Sequence, residues 1–381
     1  MYWKRCDMMT NEKKIHLLID NNARLSFFSR VLQNENIKPI VVYHSNLYTW
    51  LKAKLIDFPG KQLLLSRKET FSTRKRKSIE EVKSGRTIKY SINASTIGKT
   101  TNNDILWVFS GFQFSALELS KLYNTVRYFE IANFPNKYQS SYVGVNADSD
   151  YTTTIIKLNN SENISQREIE ELKESLINFR PKHVDSSILG KALEQTTNLF
   201  GFYFFKTLAP HDSPFRQIKT ALDIYQVRKA IKSYYRPVFP NQYNLFIGQV
   251  AHDSQTVFQS ETDPIAAIHL AFEQSKRQRI PLVVRLHPGE KSLVSLRQQI
   301  DLCEKNNITI CNNGSLLKAV KNSNEVFTIN STGGLQSLLF EKKVTTYGRS
   351  FYSGWSSKDV TLYHKYILKD LNNKDIKFEH R

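Results

Sequence analysis

Short apolar runs alternate along this chain with stretches whose apolar residues recur every three or four positions. That alternation predicts strands and helices in turn. KIHLLID (Lys14–Asp20) reads as a strand, NARLSFFSRVLQNEN as an amphipathic helix, and KPIVVYHS (Lys38–Ser45) as a second strand. A βαβ opening predicts a parallel sheet. ILWVFSG (Ile105–Gly111) reads as a buried strand, ALELSKLYNTV as a helix, and RYFEIAN (Arg127–Asn133) as the next strand. SQREIEELKESLINF is strongly helical and is capped by Ser165, with glutamates in its first turn. From Gly60 to Asn103 the chain is charged, rich in Ser and Thr and poorly periodic. It reads as a long connection carrying some helix, mobile in part.

His211–Tyr235 is polar and helical, and it runs into RPVFPNQ (Arg236–Gln242), where two prolines break the pattern. A domain boundary is expected there, giving residues 1–235 and 236–381, with a basic insertion at about 60–103 in the first. NLFIGQ then restarts the alternation. IAAIHLAFEQSKRQ, LVSLRQQIDLCEKN, LLKAVKNS and QSLLFEKK read as helices, and IPLVVRLHP, ITICNN, EVFTINST and VTTYG as strands. Strands and helices alternating over short loops predict a doubly wound second domain. The tail after Trp355 is expected to cross back to the first.

A chain of 381 residues suits two domains, and 40% apolar content is that of a folded protein. Cys6, Cys303 and Cys311 follow no C-x-x-C spacing, which argues against a structural zinc site or a disulfide framework and suits a reducing compartment. No apolar run reaches the roughly 20 residues that cross a bilayer, and MYWKRCDMMTNEKK lacks the apolar core of a signal peptide. A cytoplasmic protein is expected. The net charge of +19 attracts polyanions. Its densest cluster is RKETFSTRKRK, with Arg67, Lys68, Arg74, Lys75, Arg76 and Lys77. That cluster reads either as a solvated face or as a peripheral contact with an anionic inner membrane. No zinc-finger spacing, aromatic RNA-binding motif or recognition helix supports a nucleic-acid partner.

Candidate chemistry gathers at predicted strand ends. INSTGGLQSLLFEKKVTTYGRSFYSGW (Ile329–Trp355) places Ser331 and Thr332 before a helix, whose N-terminus suits a phosphate. LVVRLHPGEKS puts His287 at another strand end. Two strand ends side by side describe a nucleotide-phosphate crevice. Asp253 follows the first strand of the second domain, with Gln249 in the same loop. Glu130 ends a strand in an apolar context that should raise its pKa. Arg349 and Tyr352 lie near the phosphate turn, and the Arg349 fork suits a carboxylate or phosphate. Asn146 occupies a G-V-N turn. Asp148-Ser149-Asp150 has the letters of a metal-binding pair without its context, so no metal is expected.

These blocks together resemble a known family. The HP loop, the S/T-x-x-G turn running to F-Y-x-G-W, FEIANFPNKYQSSYVGVNADS (Phe129–Ser149) and LFIGQVAHDSQT (Leu245–Thr256) are similar, in order, to motifs of the capsule polysaccharide biosynthesis family of bacterial retaining β-Kdo glycosyltransferases. They span roughly two-thirds of the chain. Asn133 and Phe134 replace a usual glycine–leucine pair, and Lys137–Tyr138 and Ser140–Ser141 replace a usual Thr and Asp. The resemblance implies the GT-B fold, two Rossmann-like domains facing a central cleft, and CMP-Kdo as donor. It also implies a lipid or glycan acceptor in capsule or lipopolysaccharide assembly. By it Asp253 is the nucleophile of a double displacement and Glu130 the acid/base. His287, Ser331, Thr332, Gln249, Arg349 and Tyr352 would bind the donor, and Asn146 the acceptor. Alternatives are a bacterial CMP-sialic acid transferase and a non-catalytic nucleotide-binding subunit of polysaccharide export.

Overall fold

The computed structural model describes residues 14–68, 91–179, 188–208, 214–234, 238–251 and 253–371. Its strands are β1 (Ile15–Ile19), β2 (Val41–His44), β3 (Lys61–Leu64), β4 (Arg67–Lys68), β5 (Ser91–Ile92), β6 (Ile105–Phe109), β7 (Thr125–Ile131) and β8 (Lys137–Ser141), then β9 (Asn244–Ile247), β10 (Leu282–Arg285), β11 (Thr309–Ile310), β12 (Glu325–Thr328), β13 (Lys343–Thr346) and β14 (Lys369–Asp370). They form two main sheets.

The first has the order β3-β2-β1-β6-β7-β8-β14. Strands β3, β2, β1, β6 and β7 run parallel, while β8 returns antiparallel to β7 and β14 pairs antiparallel with β8. All five residues of β6 are buried, as a continuous apolar run covered on both faces should be. The second sheet, β11-β10-β9-β12-β13, is wholly parallel. In each sheet the strand order reverses beside its first strand, between β1 and β6 and between β9 and β12. Ligands of such sheets bind outside the carboxyl ends of strands at that switch point. Two Rossmann-like units facing each other across a cleft make this a GT-B fold.

Strands β3, β4, β5, β8 and β14 lay outside the predicted pattern. KQLL, within the expected long connection, extends the first sheet as β3, and residues 69–90 of that connection lie outside the described residues. KYQSS forms β8 although it is polar. Its buried Gln139 and Ser141 are satisfied by Asn146, Tyr363 and Asp150 rather than by an apolar face. Within the basic cluster Arg67 is buried. Its guanidinium lies 3.9 Å above the Phe202 ring and donates to the Thr207 and Phe202 carbonyls, so it staples the fold. Arg74 to Lys77 lie outside the described residues, as does Cys6.

The helix Pro214–Ser233 packs Val227 and Ile231 against Phe246 and Ile268 under the second sheet. The expected division at residue 235 therefore falls between this helix and the sheet it covers. A further apolar cluster joins the units. Tyr151, Ile155, Leu172 and Leu176, from the helices Tyr151–Ser161 and Gln166–Asn178, pack with Leu335, Phe351, Tyr352, Trp355 and Tyr363. Among the described residues no helix is long and apolar enough to cross a membrane.

Phe351 is 5% exposed at the centre of this cluster. Phe351→Ala should lower stability by about 3–5 kcal/mol and, because the cluster belongs to both units, shift them together. Calorimetry should show one transition at a lower temperature and not a split profile.

Candidate active site

The wall of the second unit is built from the carboxyl ends of β9, β10 and β12. Gly248 continues β9 where a Cβ would come within 2.7 Å of the Arg285 carbonyl, so only glycine lets the two strand ends lie this close. Gln249 is buried and uses both ends of its amide on Asn330, donating to Oδ1 at 2.6 Å and accepting from the backbone N–H at 3.1 Å. It clasps the switch point. Asn330 continues the clasp by donating to the Gln255 and Arg349 carbonyls. Buried Glu290 ties the HP loop down, accepting from the Ala251, Lys291 and Ser292 amides.

That scaffold holds Asp253 and His287. Asp253 stands at the N-cap of the helix Ser254–Gln259, and its side chain does not take the capping hydrogen bond. His287 Nδ1 accepts from the Gly289 N–H at 3.0 Å, which leaves Nε2 as the protonated nitrogen of the neutral ring. Burial lowers the His287 pKa, against an upward pull from Glu290 and Asp253. At neutral pH it is a neutral ring with a donor N–H.

At the other side of the crevice begins the helix Thr332–Leu339. Ser331 Oγ caps it by accepting from the Gly333 N–H at 3.2 Å. Thr332 donates its hydroxyl at 2.8 Å to Asn133 Oδ1 in the first unit, so it ties the units together. Gln336 adds a bond to the Asn133 carbonyl. Tyr352 is 2% exposed and donates to the Ser331 carbonyl from beneath. A Cβ on Gly334 would come 2.6 Å from that hydroxyl. Tyr352 therefore props the turn. Arg349 pairs across the cleft with Asp148 at 2.7 Å, and Gln259 donates to Asp148 and the Val145 carbonyl. Phe112 of the first unit stacks on Phe258 of the second at 4.7 Å. The two walls are held face to face.

The first unit contributes Glu130 at the end of β7. Side chains three apart on a strand point to opposite faces. Arg127 accordingly pairs with Glu35 at 2.8 Å and leaves Glu130 to the cleft. Burial raises the Glu130 pKa from the ordinary 4.5 to about 7; Arg24 and the Ile131 N–H pull it down, and Asp253 and Asp20 push it up. Asp253 thus acts on both Glu130 and His287, which places the three groups in one electrostatic neighbourhood across the cleft.

Three further groups here escaped the sequence pattern. Asp20 and Arg24 lie at the switch point of the first sheet, directly after β1. The Arg24 guanidinium sits 3.2 Å over the Phe109 ring, and its charge acts on Asp20 and Glu130. Tyr151 also feels Glu130. Asn146, held by Gln139 opposite Glu130 in the β7–β8 register, has positive φ. Asp20 Oδ1, Arg24 Nε, Asn146 Nδ2 and Tyr151 Oη are buried atoms without a hydrogen-bond partner, and all four belong to this recess. Such groups are rare in folded proteins and concentrate where a ligand or water completes them. Asp20 could have been flagged by the same strand-end logic that picked out Asp253. Tyr151 carries no such signal. Among the described residues no group of three or more His, Cys, Asp or Glu side chains is placed to hold a metal ion.

Residues 216–374 match the family described as capsule polysaccharide biosynthesis protein. Among solved structures, the chain is similar to Thermosulfurimonas dismutans KpsC, beta Kdo 2,7 transferase, at 14% identity over 95% of this chain and 94% of that one, with a TM-score of 0.47. The beta Kdo 2,4 transferase of the same organism's KpsC matches at 12% identity over 90% of this chain and 83% of that one, with a TM-score of 0.38. A Methanocaldococcus jannaschii UDP-GlcNAc 2-epimerase matches at 12% identity over 96% of both chains, with a TM-score of 0.30. No curated protein sequence matches.

The raised Glu130 pKa has a consequence for stability. A carboxyl that titrates at about 7 when folded and about 4.5 when unfolded holds its proton longer in the folded state. Stability falls as pH rises through that window, because ionisation then favours the unfolded chain. Glu130→Gln removes the penalty. It should be up to about 3 kcal/mol more stable than wild type at pH 8 and no different at pH 4, as read by urea unfolding at the two pH values.

Proposed function

We propose that the protein is a retaining glycosyltransferase that moves β-Kdo from CMP-Kdo to a lipid-linked or glycan acceptor in capsule or lipopolysaccharide assembly. The observation that carries the reading is the convergence of Asp253 and Glu130 from opposite walls of the cleft, with His287 beside Asp253. The family of residues 216–374 and the sequence blocks agree with it. The KpsC names supply the sugar.

In the proposed cycle the phosphate of CMP leaves toward His287 Nε2–H, the Ser331 hydroxyl and the positive end of the helix Thr332–Leu339. As the bond from the anomeric carbon to the phosphate oxygen breaks, an Asp253 carboxylate oxygen forms a bond to that carbon from the opposite face. The acceptor hydroxyl then displaces Asp253 while passing its proton to ionised Glu130. Two inversions give retention. Glu130 needs a pKa near the working pH to take that proton and release it afterwards. Burial and Arg24 act on it in opposite directions. Asn146, Arg24, Asp20 and Tyr151 suit the hydroxyls of an acceptor sugar, which both donate and accept. Gln249, Thr332 and Tyr352 hold the donor crevice in shape, and Arg349 latches it from the rim. The donor carries a single phosphodiester, so the reading requires no metal, and chelator should leave the rate unchanged.

The test is intact-protein mass after incubation with freshly generated CMP-Kdo without acceptor. Wild type should gain one Kdo, and Asp253→Asn should not. Glu130→Gln should form the adduct and accumulate it, because deprotonation of the acceptor comes afterwards. An adduct from CMP-sialic acid instead would turn the reading to that donor. A full adduct on Asp253→Asn would remove Asp253 from the role. In steady state, Arg24→Gln removes the charge that lowers the Glu130 pKa. The limb of the pH–rate profile that reports this base should move upward, and Arg24→Lys should partly restore it.

A further inference from the structure

The helix Ile188–Phe204 packs on the helix Leu47–Leu55. Its inner side holds the buried Phe202 together with small and polar residues. Gly201 sits where a Cβ would come 2.6 Å from the Leu47 Cβ, and Asn198 accepts from the Tyr48 N–H at 3.1 Å. Its outer side is apolar. Leu193, Phe200 and Phe204 recur at seven and four residues, which aligns them in one stripe along the helix, and they are 61%, 49% and 72% exposed. The rings of Phe200 and Phe204 stack at 4.4 Å, with exposed Tyr203 and Phe205 beside them.

The position of this ridge matters. Asn46 precedes the helix Leu47–Leu55 and donates to the Asp20 carbonyl at 2.7 Å, so the Gly201–Leu47 contact lies at the rim of the cleft beside the first switch point. The aromatic end of the ridge is therefore at the mouth of the site. Residues 44–68 and 188–208 carry six lysines against two acids, with Arg67 turned inward. Contiguous exposed apolar surface marks an interaction site. Aromatic side chains flanked by lysines suit the boundary of an anionic bilayer. A second copy is disfavoured, because it would bring another net charge of +19 against this one.

We infer that the outer face of the helix Ile188–Phe204 docks on an anionic lipid surface and holds the cleft mouth against it. The inference stands whether or not the transferase reading does. It adds an aromatic ridge to the membrane contact that charge alone had suggested.

Flotation of the full chain with vesicles of mixed phosphatidylglycerol and phosphatidylethanolamine tests it. Wild type should float with them and be released by salt. The double variant Phe200→Ser, Phe204→Ser should bind about tenfold less or weaker still at an unchanged melting temperature. Lys191→Glu with Lys206→Glu should weaken binding chiefly at low salt. Wild type left wholly in the soluble fraction would overturn the inference, as would a serine variant that floats like wild type. So would a wild-type dimer in light scattering that the serine variant breaks, because a second copy would then be what covers the ridge.

Discussion

The distance between Glu130 and Asp253 is set by apolar packing between the two units. Glu130 belongs to the first sheet and Asp253 to a loop of the second, and no covalent feature relates them. What does is the cluster of Tyr151, Phe351, Tyr352, Trp355 and Tyr363, in which side chains of both units share one core. Interiors pack too densely to deform gradually, so this cluster holds the walls in register. The polar ties from Asn133, Asp148 and Gln259 add direction to it. Tyr363 joins packing to chemistry, donating to Gln139, which also holds Asn146 opposite Glu130.

The chemistry then follows from environment. A half-buried carboxyl at a strand end is pushed toward the protonated form, and the guanidinium of Arg24 opposes that push. A histidine whose Nδ1 is occupied by a backbone N–H keeps one tautomer. Neither group needs an unusual backbone; each takes its properties from what packs against it.

Much of this was legible in the residues, and the reason is local. The second unit was readable because its strands are apolar runs separated by short turns, and a parallel strand buried on both faces must look like that. Glu130, Asp253, His287 and Ser331 were picked out because each ends or follows such a run. The strand β8 was hidden because its buried face is polar and satisfied through side chains far along the chain. Asp20, Arg24 and Tyr151 escaped because what singles them out is the presence of one another. Gln249, Thr332 and Tyr352 were placed near the donor by order along the chain, and the structure shows where their polar atoms point: into the scaffold and the seam between units.

The strand β14 lies on the edge of the first sheet, so the described residues run from the first unit through the second and back. Among the described residues, two crossings therefore join the bodies, one between Leu208 and the helix Pro214–Ser233 and one after Trp355. A body hung from one tether can tumble in any direction. A body hung from two retains mainly rotation about the line between its attachment points. Any opening of the cleft is thereby reduced toward a single swing, a door on two hinges, that carries Asp253 and His287 along an arc and returns them to the same place at each closure.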